Sequence, residues 1–313
     1  MTANYPFPVN NEYTAIAIAC MNKAMIADMV LPITPVSKKF TWIKHTKEEA
    51  FSPPDDRVGR KSAPNQVSFT GSEETDSTED YALDDPIPQD DIEANNVPGY
   101  DVIGKSTEFL MNLLMLKREK RVADLVFDAN TYAASNKDQL SGSSQFSDAT
   151  SKPVDKLLEY LDTPLMRPNL AIFGNTAWRK TRQNPNVIES IKGTGAGAEA
   201  AGTVSRQQMA EVLEIDDVVV GQGWINIAGK GQPPNFVRVW GNHIALIYRD
   251  VLAGPQRGTT FGFTGQWGGR IAGSQPDGDI GMRGGVKNRV GWSHKEIISA
   301  ADLGFFVEDA VAA

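Results

Sequence analysis

Residues 100–134 read YDVIGKSTEFLMNLLMLKREKRVADLVFDANTYAA, and no Pro or Gly interrupts them after Gly104. Met111, Leu114, Met115, Val122, Leu125, Val126, Ala129 and Tyr132 fall on an i, i+3, i+4, i+7 stripe, with Lys117, Glu119 and Lys120 outside it. The pattern predicts one helix over 100–134, roughly 45–50 Å long at 1.5 Å per residue. The mean globular helix is only about 11–12 residues, so this one needs a layer to lie across and reads as a strut. Its methionines fit core packing better than a ligand surface.

Immediately upstream, residues 71–93 (GSEETDSTEDYALDDPIPQDDIE) carry ten acids and no Lys or Arg. They are Glu73, Glu74, Asp76, Glu79, Asp80, Asp84, Asp85, Asp90, Asp91 and Glu93. The whole chain has 313 residues and a formal charge of −8, from 31 basic and 39 acidic side chains. Outside the acidic stretch, 31 basic residues face only 29 acids, so the body is nearly neutral. Residues 36–61 are mildly basic, with Lys38, Lys39, Lys44, Lys47, Arg57, Arg60 and Lys61 against four acids.

The segment around this charge boundary has hairpin periodicity. Phe40 and Trp42 alternate with Lys39 and Thr41, and Val67 and Phe69 alternate with Gln66 and Ser68. Ser52 to Ser62 (SPPDDRVGRKS) between them is turn-forming. The two strands are expected to pair with each other. A two-stranded hairpin alone is marginal in water, so another surface must support it unless it is flexible; a second copy of the chain would serve. The acidic run then reads as a loop beyond the hairpin, for which a solvated face is the ordinary explanation.

At the start of the chain, Tyr13, Ile16, Ala17, Cys20 and Ala24 share a helical face, with Asn22, Lys23 and Asp28 off it. This fits a short amphipathic arm or an N-terminal core helix. Ala15 to Met21 is too short to span a membrane and lacks the basic residues that precede a signal-peptide core.

Downstream, the pattern becomes α/β. Pro153 opens a helix with Val154, Leu157, Leu158 and Leu161 on one side. Residues 168–174 (PNLAIFG) form a buried-type strand, and Asn175 is expected to cap a helix carrying Trp178. Residues 193–202 (GTGAGAEAAG) read as a linker; Ser205 and Gln208 make a capping box for a helix over Arg206 to Leu213. Asp217 to Gly221 is a strand. Phe236 to Trp240 and His243 to Tyr248 are expected to form a hairpin through Gly241-Asn242. Gly254 to Gly285 holds eleven glycines around an alternating Phe261/Phe263 strand, and His294 to Ile298 and Leu303 to Val307 suggest final strands.

Catalytic and cofactor patterns do not develop. An acidic chain has no global attraction to nucleic acid or an anionic membrane. One cysteine, Cys20, allows no intrachain disulfide and suits a reducing compartment. Gly195 to Ala200 matches G-x-G-x-x-A, but Ile188 to Lys192 is too short and polar to be the preceding strand. Gly223 to Lys230 has the wrong spacing for a phosphate loop. His45, His243 and His294 are dispersed and lack neighbouring ligands for a metal. Cys20 sits on an apolar face, no G-x-S-x-G occurs, and Asp277-Gly278-Asp279 lacks the Glu of a calcium loop. The sequence thus predicts no catalytic residue, no metal and no cofactor.

An arm, a charged hairpin, one long helix and an α/β region in this order resemble the major capsid proteins of tailed bacteriophages, an α+β class with the Hong Kong 97-type fold. Residues 168–174 followed by the Trp178 helix, Ser205 to Gly221, Trp240 to Tyr248 and Ala301 to Val307 are similar to successive elements of that family. The nearest likeness is to capsid proteins of Mu-like phages. The resemblance implies an N-terminal arm over 1–35, an extended loop (β-hairpin) over 36–95, and a spine helix and peripheral domain over 96–164. It further implies an axial domain over 165–250 and return strands over 251–313.

By the same resemblance, the chain would build pentamers and hexamers of an icosahedral virion shell around double-stranded DNA, touching the genome only weakly and non-specifically. The extended loop would lie over a neighbouring subunit. Its expected contacts are Phe40, Trp42, Val67 and Phe69, the basic Lys38, Lys44, Arg57, Arg60 and Lys61, and the acidic Glu73, Glu74, Asp76, Glu79, Asp80, Asp84 and Asp85. The arm is short for a built-in scaffold, so a separate scaffolding protein is expected. A portal is expected too, with a decoration protein as a further partner and assembly in the host cytoplasm. Two alternatives stand beside this reading: an encapsulin-type bacterial compartment, and a soluble α/β enzyme.

Overall fold

The computed structural model describes residues 7–20, 22–44, 53, 55–66, 72–94, 101–192, 203–229, 231–255 and 258–312. The long helix, α4, runs Val102–Val126 and not to residue 134. Asp101 caps its start, accepting the Ile103 N–H at 3.0 Å. Its end is set by groups that fold back onto the last turn. Thr131 Oγ1 donates to the Leu125 carbonyl at 2.7 Å, and Tyr132 Oη donates to that of Val126 at 2.8 Å. Carbonyls left over at a helix end need such donors. Asp128 meanwhile nucleates a separate turn by accepting the Asn130 N–H. Ala129 and Tyr132 therefore lie beyond the helix that their spacing suggested.

Two sheets flank α4. The first contains β5 (Lys137–Gln139), β13 (Gly304–Glu308), β10 (Ile244–Ile247), β6 (Leu170–Gly174) and β7 (Asp217–Gly221), in that order. Alternate side chains enter different layers. Ala171, Phe173, Val218, Val220, Ile244, Leu246 and Phe305 pack under helices α5 (Pro153–Leu161), α6 (Asn175–Thr181), α7 (Pro185–Lys192) and α8 (Arg206–Leu213). Leu170, Ile172, Val219, Ala245, Ile247 and Phe306 point the other way, toward Val122, Ala123 and Val126 of α4. Burial on both faces explains why these strands read as continuous apolar runs.

The second sheet has the order β1 (Ile33–Pro35), β11 (Gly262–Asp277), β12 (Gly285–Ile298), β4 (Glu79–Pro88). The N-terminal half of α4 crosses it, where Leu110, Met111 and Leu114 meet Ala272, Val290 and Trp292. One helix thus joins two sheets, as a strut should. The arm is docked on its own chain. Helix α1 (Asn11–Ala19) places Ala17 in that same cluster with Tyr13 and Cys20 against it, and Arg270 donates to the carbonyls of Ala17, Ile18 and Cys20. A cation at a helix C-terminus is favourably placed. A short helix, α2 (Ala27–Val30), follows.

Several expectations are corrected. Phe236–Arg238 (β9) pairs with Trp224–Asn226 (β8), whereas β10 lies between β6 and β13. No hairpin joins β9 to β10, because Trp240 between them turns into the core. Gly174, not Asn175, occupies the N-cap of α6, and no side chain caps it. Half of the glycine-rich 254–285 region is the long strand β11. Its Gly273 supplies close approach, since a Cβ there would lie 2.2 Å from the Pro8 carbonyl oxygen. The Ser205/Gln208 capping box and the strand over Asp217 to Gly221 are found as read.

Candidate assembly surfaces

The extended hairpin exists, but its return strand is different. β2 (Lys39–Lys44) pairs antiparallel with β3 (Ser72–Ser77), placing Phe40 opposite Asp76 and Trp42 opposite Glu74. The first acids of the acidic run are therefore hairpin residues. Val67 and Phe69 lie outside the described residues, as do His45 and the side chain of Lys44. Phe40 is only 7% exposed and packs with Phe263 and Ile297, with Val36 and Trp42 at the margin. The hairpin thus has a small core from its own chain, so part of the surface that supports it belongs to the same molecule.

The remaining acids mostly meet cations of the same molecule. Residues 79–88 form β4, an edge strand in register with β12, with Asp84 opposite Arg289 and Asp80 opposite Ser293. Asp84 takes a two-point contact from Arg289, at 2.6 and 2.5 Å, which holds its carboxyl below the usual range. Glu79 accepts from Lys295 at 2.6 Å and from Tyr81 at 2.7 Å, and both lower its pKa. Asp80 accepts from Ser293 and lies 3.4 Å from Lys38. Asp85 accepts from Ser106 at 2.6 Å, Asp76 is 3.9 Å from Lys295, and Asp90 is 3.3 Å from Arg283. Residues 89–94 close the run as helix α3 (Gln89–Ala94). Cross-strand opposite charges stabilise a sheet edge modestly.

A different group of site residues keeps open charge. Glu73 and Glu74 are exposed and have no ion pair among the described residues. Arg57, Arg60 and Lys61 are exposed on residues 55–66, again without an ion pair among the described residues.

Beneath these surfaces is a buried joint that the sequence reading missed. Glu119, placed off the apolar stripe, is 0% exposed. Its carboxylate accepts the Ile26 N–H at 2.9 and 3.1 Å, the Ala27 N–H at 2.8 Å and Trp240 Nε1–H at 2.5 Å. Burial raises its pKa, while these donors and Arg118 pull it back. One side chain of α4 thereby caps α2 and anchors the segment between β9 and β10. Arg118, also buried, contacts Asp28, donates to Thr264 Oγ1 at 3.1 Å, and lies near Glu296.

His294 belongs to the same region, 1% exposed beside Trp292 and Tyr81. Its Nε2 is 2.7 Å from Arg121 Nη2, which can only donate, so the imidazole accepts there. Burial lowers the His294 pKa, and Arg118 and Arg121 act in the same direction against Glu296. An unfolded histidine titrates near about 6.5. Below that pH the unfolded chain binds a proton that the folded site resists, so stability is full above about pH 6.5 and falls as pH drops through it. His243 is shifted the same way by burial. We expect thermal melts at pH 7.5 and 5.5 to show a smaller acid-induced loss in His294→Gln than in the parent chain; equal losses would place the titration elsewhere.

Motifs considered for catalysis fall in structural roles where they are described. His243 Nδ1 accepts the Asp309 N–H at 2.9 Å. Burial raises the Cys20 thiol, the wrong direction for a nucleophile. Asp277 pairs with Lys287 at 2.7 Å at the mouth of the β11–β12 turn. Gly195 to Ala200 and Lys230 lie outside the described residues. Among the described residues there is no metal-ligating cluster, and no helix is long and apolar enough to cross a membrane.

The architecture is that of a phage capsid subunit. It superposes with a TM-score of 0.75 and 22% identity on a phage-related protein from Bordetella bronchiseptica RB50, covering 99% of this chain and 100% of that one. The capsid of cyanophage P-SCSP1u gives a TM-score of 0.59 at 14% identity, over 93% and 89% of the two chains. The chain matches no known family model. It is 47% identical to the major capsid protein of Pseudomonas phage JBD67 over 312 residues, 99% of this chain and 100% of the relative. The major capsid protein of Burkholderia phage BcepMu is 26% identical over 258 residues, 81% and 80% of the two chains. The chain therefore belongs to the bacteriophage major capsid proteins, as a structural component of the virion shell.

Proposed function

We propose that the chain forms the pentamers and hexamers of an icosahedral shell around double-stranded DNA, assembling in the host cytoplasm and catalysing no reaction. The observation that carries this is identity of 47% with a major capsid protein over the whole length of both chains. A scaffolding protein and a portal are the partners this reading requires, with a decoration protein as an optional one. The near-neutral body suits a wall that holds DNA only weakly. The division into arm, extended loop, spine, axial region and return strands is part of the same proposal. So is the assignment of the hairpin to a neighbouring subunit.

Co-expression with the head genes of its genome, followed by electron microscopy, tests the proposal. Shells that need a scaffolding protein support it; shells formed without one favour a compartment, and a persistent monomer refutes both. The hairpin aromatics now separate. Phe40→Ala is expected to destabilise the isolated chain by about 3 kcal/mol, through lost burial and a cavity. Trp42→Ser is expected to leave its melting temperature nearly unchanged and to reduce shell yield. Equal destabilisation by the two changes, seen by thermal unfolding, would put Trp42 in the same core.

A further inference from the structure

The β8–β9 hairpin presents a face that the fold leaves uncovered. Its register sets Trp224 opposite Arg238 and Asn226 opposite Phe236, so these four share one side. Ile225 and Val237 take the other side, and Ile225 packs toward the core. On the outer side Trp224 is 51% exposed and Phe236 61%. The Arg238 guanidinium lies 3.9 Å over the Trp224 ring and donates to the Gln222 carbonyl at 2.8 Å. Arg238 has no carboxylate partner among the described residues. An aromatic pair with a stacked arginine is the composition that dominates binding energy at protein interfaces.

The complementary surface is on the same chain. Along the hairpin strand β3, Glu73 and Glu74 are exposed without an ion pair among the described residues, whereas Glu79, Asp80, Asp84 and Asp90 are matched internally. Neighbours along a strand point to opposite faces, so Glu73 turns away from Glu74; Glu74 stands opposite the half-buried Trp42 and shares its face. An unmatched guanidinium on one surface and an unmatched carboxylate on another favour a contact between copies.

We infer that the outer face of the β8–β9 hairpin receives strand β3 of a second copy, with Glu74 set against Arg238 beside Trp224 and Phe236. The inference rests on the shell reading above. It differs from an acid contact with the basic loop around Arg57 to Lys61, because it places the receiving cation on another part of the chain.

A charge exchange tests it in the full chain co-expressed with its head genes. Arg238→Glu, and separately Glu74→Arg, are each expected to give about tenfold fewer shells by sedimentation and electron microscopy. The chain carrying both substitutions is expected to recover most of that loss. Wild-type yield from Arg238→Glu overturns the inference, and so does failure of the combined chain to recover. If Arg238→Glu lowers the monomer melting temperature, Trp224→Ser with Phe236→Ser decides instead: a normal shell yield overturns the contact and a lowered one supports it. Absence of shells from the unaltered chain would sink the shell reading itself, an outcome distinct from all of these.

Discussion

Replacing Glu119 with alanine is expected to destabilise the folded chain by about 3–5 kcal/mol, measured as a lowered midpoint in urea unfolding. Three donors converge on this carboxylate: the N–H groups of Ile26 and Ala27 and the Trp240 indole. All are buried, so none can turn to water when the acceptor disappears. Each unsatisfied donor costs about 1–3 kcal/mol, and the vacated volume adds a cavity term. Glu119→Gln is expected to fall between the two. Its amide oxygen can still accept on one side, but its NH2 group must face a donor on the other. A loss under about 1 kcal/mol for the alanine variant would mean that the joint depends on apolar packing alone.

The joint also marks where the sequence stops being readable. Strand β6, the capping box at Ser205 and the stripe of α4 follow from local periodicity, because each residue's environment is fixed by neighbours a few positions away. Glu119 is different. In the helical pattern it is a charged residue beside Lys117 and Lys120, and charge on a helix ordinarily means solvent. Only the approach of Ile26, Ala27 and Trp240, up to 121 residues away, turns that position inward. A helix lying between two sheets has more than one buried face, and polar residues then have to be satisfied inside.

The acidic run teaches the same lesson from the opposite side. Its composition suggested one loop, yet alternate positions of 79–88 match an edge strand whose partner lies about 200 residues later. The cations of that strand, Arg289 and Lys295, lie beyond the glycine-rich stretch, Lys295 in a segment read as a final strand, and local periodicity does not say which strand it pairs with. That β2 takes β3 as its return strand has a related reason. Apolar alternation identifies strands, but pairing depends on what lies beneath. Phe40 needs Phe263 and Ile297 below it, which sets the hairpin's register with β3. The outer side of β8–β9 left no trace because Phe236 reads as an ordinary strand residue and Trp224 lies in a short glycine-flanked segment.

Gly221→Ala provides the second large effect, by overfilling the same joint. Gly221 ends β7, and a Cβ built there would lie 2.0 Å from Cδ1 and 2.2 Å from Cγ of Trp240. These are atoms of the rigid indole ring, so relief requires the fully buried side chain to move. Moving it lengthens the 2.5 Å bond to Glu119 and disturbs the edge contact with Phe127, whose centroid is 5.0 Å away. Overpacking alone costs about 1–3 kcal/mol; with a strained buried hydrogen bond added, the expected loss is about 3–4 kcal/mol. Gly269→Ala is the matching control, since nothing lies within 4 Å of its added Cβ, and it should stay within about 0.5 kcal/mol of the parent. Because both substitutions act on one indole, Gly221→Ala and Glu119→Ala should not add: the double variant is expected to be at least about 1 kcal/mol more stable than the sum of the single losses allows. Strict additivity in urea unfolding would separate the glycine from the carboxylate and leave Trp240 packing as two independent contacts.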